Sequence, residues 1–380
     1  MRRLPVPREE SFTSTLRGPE VAARVGTWLG VCFTVAFLTG VWSHLYQDQP
    51  GWLTIPTHPV WTYRVTQGLH ILSGTAAIPL LLVKLYAVYP KLFAAVPVGR
   101  LRTLTLHLLE RGSIALLVGA GIFQLVTGVM NTAEWYAWGF SFRSSHYAMA
   151  WVAFGALVLH VAVKLTIVRD AYRRPLEDGE QPGSALTRRG LVRVALGASA
   201  VGVLAVAGQA VPWLGRLSVF ETHSGAGPQG LPVTKSARAA RVTQLAFEPS
   251  YQLEVVHGGT TRTLSLDQLR RLPQHTETLP IACVEGWSRS AVWTGVRLRD
   301  LLDLVGAPPG TTVRVQSLQP RGPFRTSEVR GNLADDPTTL VALQLDGEPL
   351  SIDHGHPCRL IAPNRPGVLQ TKWLGRIVTT

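Results

Sequence analysis

The sequence predicts a multi-domain fold: an all-α transmembrane helical bundle of five spans, followed by an exported α+β mixed-sheet domain. Three observations predict it. Five stretches, 25–43, 65–83, 112–133, 144–163 and 194–215, contain no Asp, Glu, Lys or Arg over 19 to 22 residues each. At 1.5 Å rise per residue such a stretch crosses a hydrocarbon core of about 30 Å. Lys and Arg then fall unevenly between the stretches, 17 in segments 1–24, 84–111 and 164–193 but only Arg64 and Arg143 in 44–64 and 134–143. Beyond residue 215 the long apolar runs give way to short alternating ones.

Composition agrees. Of 380 residues, 46% are hydrophobic and 16% charged, with a mean hydropathy of +0.16; soluble chains carry roughly 25% charge. Disorder is excluded by the same figures. Three cysteines exclude a disulfide scaffold and a four-cysteine zinc module. The net charge of +13 divides into +9 over 1–215 and +4 over 216–380. The excess therefore sits between the apolar spans, where it sets orientation, and no nucleic-acid partner is expected.

In chain order, 1–24 reads as a cytoplasmic segment and 25–168 as a four-span membrane domain. Residues 169–193 read as a cytoplasmic linker and 194–215 as the fifth span. Residues 216–380 form the extracytoplasmic domain of a multi-pass protein of the cell (inner or plasma) membrane, in contact with membrane lipid. Trp52, Trp61, Trp135, Tyr136 and Trp138 in the outer loops suit the membrane interface. The run TRRGLVR (187–193) before an Ala/Gly/Val-rich span resembles a twin-arginine export signal, which implies the twin-arginine export machinery as a partner. Two positive-inside arginines before an ordinary span explain it equally well. In the last domain, 251–257, 312–317 and 358–363 predict strands and Gly258-Gly259 a hairpin turn. Helices are predicted from 265–272 and 296–306.

Ionisable residues inside a membrane are costly and mark function. His70 lies in span two, and His146 and His160 in span four. His44, His107 and His58 lie at span ends or in an outer loop, where headgroup-level histidines are ordinary. Imidazole is the usual axial ligand of b-type haem. The fourteen residues from His146 to His160 return to nearly the same helix face, about 21 Å along, so one helix can serve two stacked haems. By depth, His70 with His146 is the favoured outer pair, with His44 as the alternative, and His160 has only His107 on its side. Over about 20–170 the arrangement resembles the di-haem cytochrome b subunits of formate dehydrogenases and hydrogenases. The resemblance implies one or two haems b and exchange with quinone, quinol or another membrane electron carrier. Thr27, before Trp28, stands where that family carries an inner-haem histidine.

The segment IACVEGWSRSAVWTGVRLRDLL (281–302) places Cys283 at the end of an apolar strand beside Glu285, Gly286 and tryptophans. Read from the residues alone, Cys283 is either a thiolate ligand for a thiophilic metal or a buried structural cysteine, free or paired with Cys358. With DHGHPCRLIAP (353–363) and QTKWLGRI (370–377), the run resembles the molybdopterin-binding domain of the sulfite oxidase family over about 230–380. The resemblance implies molybdenum-molybdopterin with Cys283 as the catalytic metal ligand. Ser317, His354, Arg359, Gln370, Thr371 and Lys372 match its pterin-holding positions. Thr234 stands in place of the family's asparagine, and Arg289, Arg321 and Arg365 are the arginines available for an oxyanion.

Together these readings predict a membrane-bound molybdopterin-dependent oxidoreductase. It would transfer an oxygen atom to or from a small S-oxide, N-oxide or sulfite-like oxyanion and exchange electrons with the quinone pool through haem. The alternative is a non-catalytic haem-containing electron conduit or redox sensor with a degenerate molybdopterin domain.

Overall fold

The structure is a computed structural model describing residues 8–14, 16–94, 101–176, 186–220 and 227–380. Residues 177–185, the middle of the expected linker, lie outside the described residues. The chain forms two compact units: Met1–Val41 with Leu69–Val206, and Trp42–Gly68 with Ala207–Thr380. The segment between the first two helices is thus grouped in one compact unit with 207–380.

Among the described residues, five helices are long and apolar enough to cross a membrane: α1 (Pro19–Gln47), α2 (Thr62–Val88), α3 (Leu101–Thr132), α4 (Phe142–Arg173) and α5 (Arg188–Ala207). Helices α1, α2 and α4 each contain one of the charge-free stretches, α3 ends one residue short of its own, and α5 covers only 194–207 of the fifth. Ser141 caps α4, accepting from Ser144 N. Lys164 of α4 is ion-paired with Glu110 of α3. Val21, Val25, Leu80, Leu191, Val192 and Ala195 form a cluster from α1, α2 and α5. Beside it, buried Glu20 lies 3.8 Å from both Arg174 and Arg188, so one arginine of the TRRGLVR run has a fold-stabilising partner. Helix α5 stops at Ala207 rather than continuing to 215. Gly208 N turns to Ser218 Oγ (2.6 Å), and Pro212, which has no N–H, opens a 3₁₀ segment Pro212–Leu217.

Among its described residues the second unit has ten strands: β1 (Gln252–His257), β2 (Thr260–Ser265), β3 (His275–Ala282), β4 (Ser288–Arg297), β5 (Val313–Ser317), β6 (Thr326–Val329), β7 (Leu340–Leu345), β8 (Glu348–Pro349), β9 (Arg359–Ile361) and β10 (Leu374–Thr379). One sheet has the order β2-β1-β10-β5-β6, with β1 parallel to β10 and the other pairs antiparallel. The other runs β3-β4-β7-β8, with β9 also on β7. The β1–β2 turn is the Gly258-Gly259 hairpin, and Gly258 takes φ +52°. Strand β7 reads LVALQL because both its faces are covered. Val341 and Leu343 join a core with Val255, Val315 and Ile377 of the first sheet. Leu340, Ala342 and Leu345 join a second core with Ile281, Cys283, Trp287 and Trp293. Gly295 bulges between β4 and β7, where any Cβ would overlap Val341 O. The predicted helices appear as Leu266–Arg271 and Leu298–Asp303.

Candidate active site

Cys283 sits in the turn between β3 and β4. Cys283 N donates to Trp287 O (2.9 Å) and Gly286 N to Cys283 O (3.1 Å), with Gly286 at φ +101°. The turn thus folds the thiol inward, where it is 5% exposed. Thr234 Oγ1 lies 3.6 Å from Cys283 Sγ and accepts from Trp287 Nε1 at 3.2 Å. Cys283 and Cys358 are both free thiols, which removes the disulfide alternative. Cys358 belongs to the other core, with Tyr251 Oη at 3.1 Å from its sulfur. Burial pushes the Cys283 thiol well above its usual range, reinforced by the Glu285 carboxyl. Glu285 is itself buried, its acidity weakened by desolvation, and its Oε2 has no hydrogen-bond partner.

Positive charge converges on the same place. Arg359 of β9 is buried over the Trp293 ring, its guanidinium carbon 5.0 Å from the centroid. It donates to His354 O (3.0 Å) and Gln370 O (3.2 Å), and its Nε has no partner. Burial lowers its pKa to about 10, partly offset by Cys283. Lys372 Nζ donates to Lys235 O (2.6 Å) and Asp353 O (2.8 Å). Burial, then the Arg359 charge, brings its pKa down to about 7. His354 is pulled down to about 4, chiefly by desolvation, while Nε2 contacts Pro228 O at 2.6 Å. Gly355, at φ +114°, lets the chain pass Arg359 and Lys372, whose Cβ atoms lie 3.0 and 3.3 Å from where its own would be. The cations are bonded to neutral carbonyls rather than neutralised by carboxylates, which leaves a site with affinity for an anion.

The other expected pterin residues are more internal. Ser317 Oγ donates to Lys372 O (2.8 Å), fixing that lysine's backbone. The Gln370 side chain is bonded to Ala362 N and O, and Thr371 pairs with Ser327. Both side chains brace the scaffold. Arg365 is buried against Leu369 O and Glu328 O, and Arg289 holds Gln209 O, while Arg321 is exposed. Lys235, bonded to Gln319 (2.9 Å) beside Lys372, was missed as a site residue although it lies in the PVTKSA run with Thr234. Its signal was a lysine next to the expected pterin contact.

In the first unit, His70 Nδ1 lies 2.8 Å from Ala36 O and His146 Nδ1 2.8 Å from Thr127 Oγ1. Their ring centroids are 6.0 Å apart. Gly40 faces His70, where a Cβ would approach Cε1 at 2.9 Å. His160 and His107 share Glu110 as a neighbour, and no ring contact joins them among the described residues. His44 belongs to the second unit, and His58 pairs with Asp336 at 3.3 Å.

Residues 240–380 match the family model described as oxidoreductase molybdopterin binding domain. The C-terminal part is a molybdopterin-binding oxidoreductase domain of the sulfite oxidase family. Mitochondrial sulfite oxidase of Drosophila melanogaster is 35% identical over 153 residues, covering 34% of this chain and 27% of that protein. The human mitochondrial sulfite oxidase is 32% identical over 156 residues, 34% of this chain and 29% of that one. Nitrate reductase [NAD(P)H] of Hordeum vulgare is 39% identical over 99 residues, 23% of this chain and 11% of that one. The chain thus spans under a third of each of these relatives.

The residues fit the cofactor this family implies. A dithiolene-bound molybdenum needs a soft protein donor, and Cys283 offers one, with the Thr234 hydroxyl and the Glu285 carboxyl beside its sulfur. The pterin phosphate needs cations, and Arg359, Lys372 and Lys235 supply them, with Arg359 Nε left unbonded.

Proposed function

We propose that the chain is a membrane-anchored molybdopterin-dependent oxidoreductase for a small S-oxide, N-oxide or sulfite-like substrate, coupled to the quinone pool through b-type haem. The observation that carries this reading is the buried Cys283 thiol facing an arginine–lysine cradle. Bound there, the molybdenum cofactor supplies two-electron oxygen-atom chemistry. Cys283 would hold the metal as thiolate, the metal's positive charge lowering the thiol pKa that burial raises so that the proton is released to solvent on binding. Arg359, Lys372 and Lys235 hold the anionic end of the pterin. Thr234, held by Trp287, sets the position of the sulfur. Glu285 Oε2, unbonded and screened from water, can hold a proton beside it.

His70 and His146 are the residues we assign to haem. With Nδ1 of each ring occupied by Ala36 or Thr127, Nε2 is the ligating atom. The two rings, with centroids 6.0 Å apart, would hold the haem iron, which would supply single-electron chemistry. Haem would carry single electrons between a membrane quinone and the molybdenum site. His44 is the alternative to either ligand, and His160 the ligand of a second haem. The positive-inside distribution supports a cytoplasmic N-terminus and an extracytoplasmic catalytic domain. The Arg188–Glu20 pair supports retention of α5 as an anchor, and engagement of the twin-arginine export machinery rests on the TRRGLVR run.

The test is elemental analysis of the detergent-purified protein with a reduced-minus-oxidised haem spectrum. The expected result is molybdenum and haem iron in the same sample. Iron without molybdenum, from a host that makes the cofactor, returns the chain to an electron conduit or sensor; molybdenum without iron removes the haem assignment. Reduced dye with an S-oxide, against sulfite with an acceptor, decides the direction of electron flow.

A further inference from the structure

The compact unit that contains the molybdopterin domain also contains Trp42–Gly68, the ends of α1 and α2 with the loop between them. This segment is held by a set of donors from the domain. Asn364, buried and at φ +50°, accepts from Tyr63 N (2.9 Å) and donates to Tyr46 Oη (3.1 Å) and Pro56 O (2.8 Å). Arg330 donates to the carbonyls of Gln49, Pro50 and Leu53 at 2.6, 3.0 and 2.7 Å. Asn332 takes Ile55 O at 2.9 Å.

What the clamp delivers is the wall of the cysteine turn. Tyr46, Ile55 and Tyr63 pack in one cluster with Ala282, and Val60 packs on the core that includes Cys283 and Trp287. Gln67 Nε2 donates to Val284 O at 3.0 Å. Gln67 is buried, and its Oε1 accepts from Ser43 Oγ at 2.8 Å, so both ends of the amide are fixed. On the far side of the same turn, Ser288 N donates to Gln209 O at 2.7 Å. The five residues carrying the thiol are therefore gripped at both ends by groups lying outside the stretch matched to the family.

We propose that Gln67 is a positioning residue for the molybdenum ligand: with Ser43 behind it, it fixes the Val284–Glu285 peptide, one residue beyond Cys283, so that the site is completed by the loop between the first two helices. The inference rests on Cys283 being that ligand. It predicts that the sulfur's orientation, and with it the electronic environment of the metal, depends on an amide more than two hundred residues away in sequence, 217 by count.

The test uses the full chain. Gln67→Met keeps the side-chain volume and removes both hydrogen bonds, and Ser43→Ala removes only the support behind the amide. The expected result for Gln67→Met is retained molybdenum, a shifted or broadened Mo(V) electron paramagnetic resonance signal, and turnover lowered about tenfold, as displacement of a reacting group by a fraction of an ångström would produce. Ser43→Ala should move the signal the same way and lower turnover less. In cofactor-free full-length protein, Gln67→Met should also raise the rate of Cys283 alkylation severalfold. Wild-type Mo(V) signal and wild-type alkylation rate in Gln67→Met overturn the inference. A wild-type Mo(V) signal in Cys283→Ser overturns instead the ligand reading beneath it, and the alkylation arm, which needs no metal, keeps the two failures apart.

Discussion

Two regions carry the chemistry proposed for this chain, and they are built in opposite ways. The Cys283 turn is contiguous: five residues between two paired strands fix one sulfur through their own backbone bonds. The His70–His146 pair is assembled from different helices, each ring oriented by a single acceptor on a third element, Ala36 of α1 or Thr127 of α3. A strand turn carries most of its geometry in its own backbone, with Gln67 and Gln209 bracing it from outside, whereas a helix pair acquires its geometry only on packing. The first region should therefore tolerate loss of the second, and each can be removed without the other.

The largest effect expected is from Cys283→Ser. Turnover should vanish while the haem spectrum stays intact, measured on the same purified sample; wild-type turnover would remove Cys283 from the site. The converse comes next. His70→Ala or His146→Ala should abolish the haem absorbance of that pair and any quinol-linked activity, while dye-linked turnover at the molybdenum site stays within about twofold. Full haem occupancy in both single mutants would move the assignment to His44. Gly40→Leu should act like a weaker His70 mutation, because its side chain would meet the imidazole whose Cε1 lies 2.9 Å from a Cβ at that position.

The contrast also explains what was legible in the sequence. Cys283, Arg359 and Lys372 could be found because each lies in a short ordered block and each is chemically unusual in a buried site. The five helices were legible from missing charge alone, and only the end of α5 was misplaced, since Gly208 and Pro212 interrupt a run whose apolarity continues. Gln370 and Thr371 matched family positions, yet their side chains point into the scaffold, because matching a position does not say which atom of the residue serves. The clamp of Asn364, Arg330 and Gln67 was invisible. Its side chains bond to backbone carbonyls and an amide up to 308 residues away, and a backbone partner leaves no residue-type signal in its segment.

The smallest effect expected is a pH dependence that belongs to the cradle alone. Lys372 titrates at about 7 in the fold, against 10.5 when unfolded, because burial and Arg359 disfavour its charge. Between those values the unfolded chain binds more protons than the folded one, so stability contributed by this group rises with pH across that window. The cofactor-free protein should accordingly gain thermal stability as pH increases from about 7, and Lys372→Met should flatten that slope. Anion binding has the opposite sign, since it needs the ammonium form: affinity for inorganic phosphate should fall as pH rises through 7, with proton uptake on binding above it. Titration calorimetry in buffers of different ionisation enthalpy reads that uptake directly. Cys283→Ser, which empties the metal position but leaves the cradle's cations in place, should retain the phosphate dependence, whereas the histidine mutants should leave both profiles untouched.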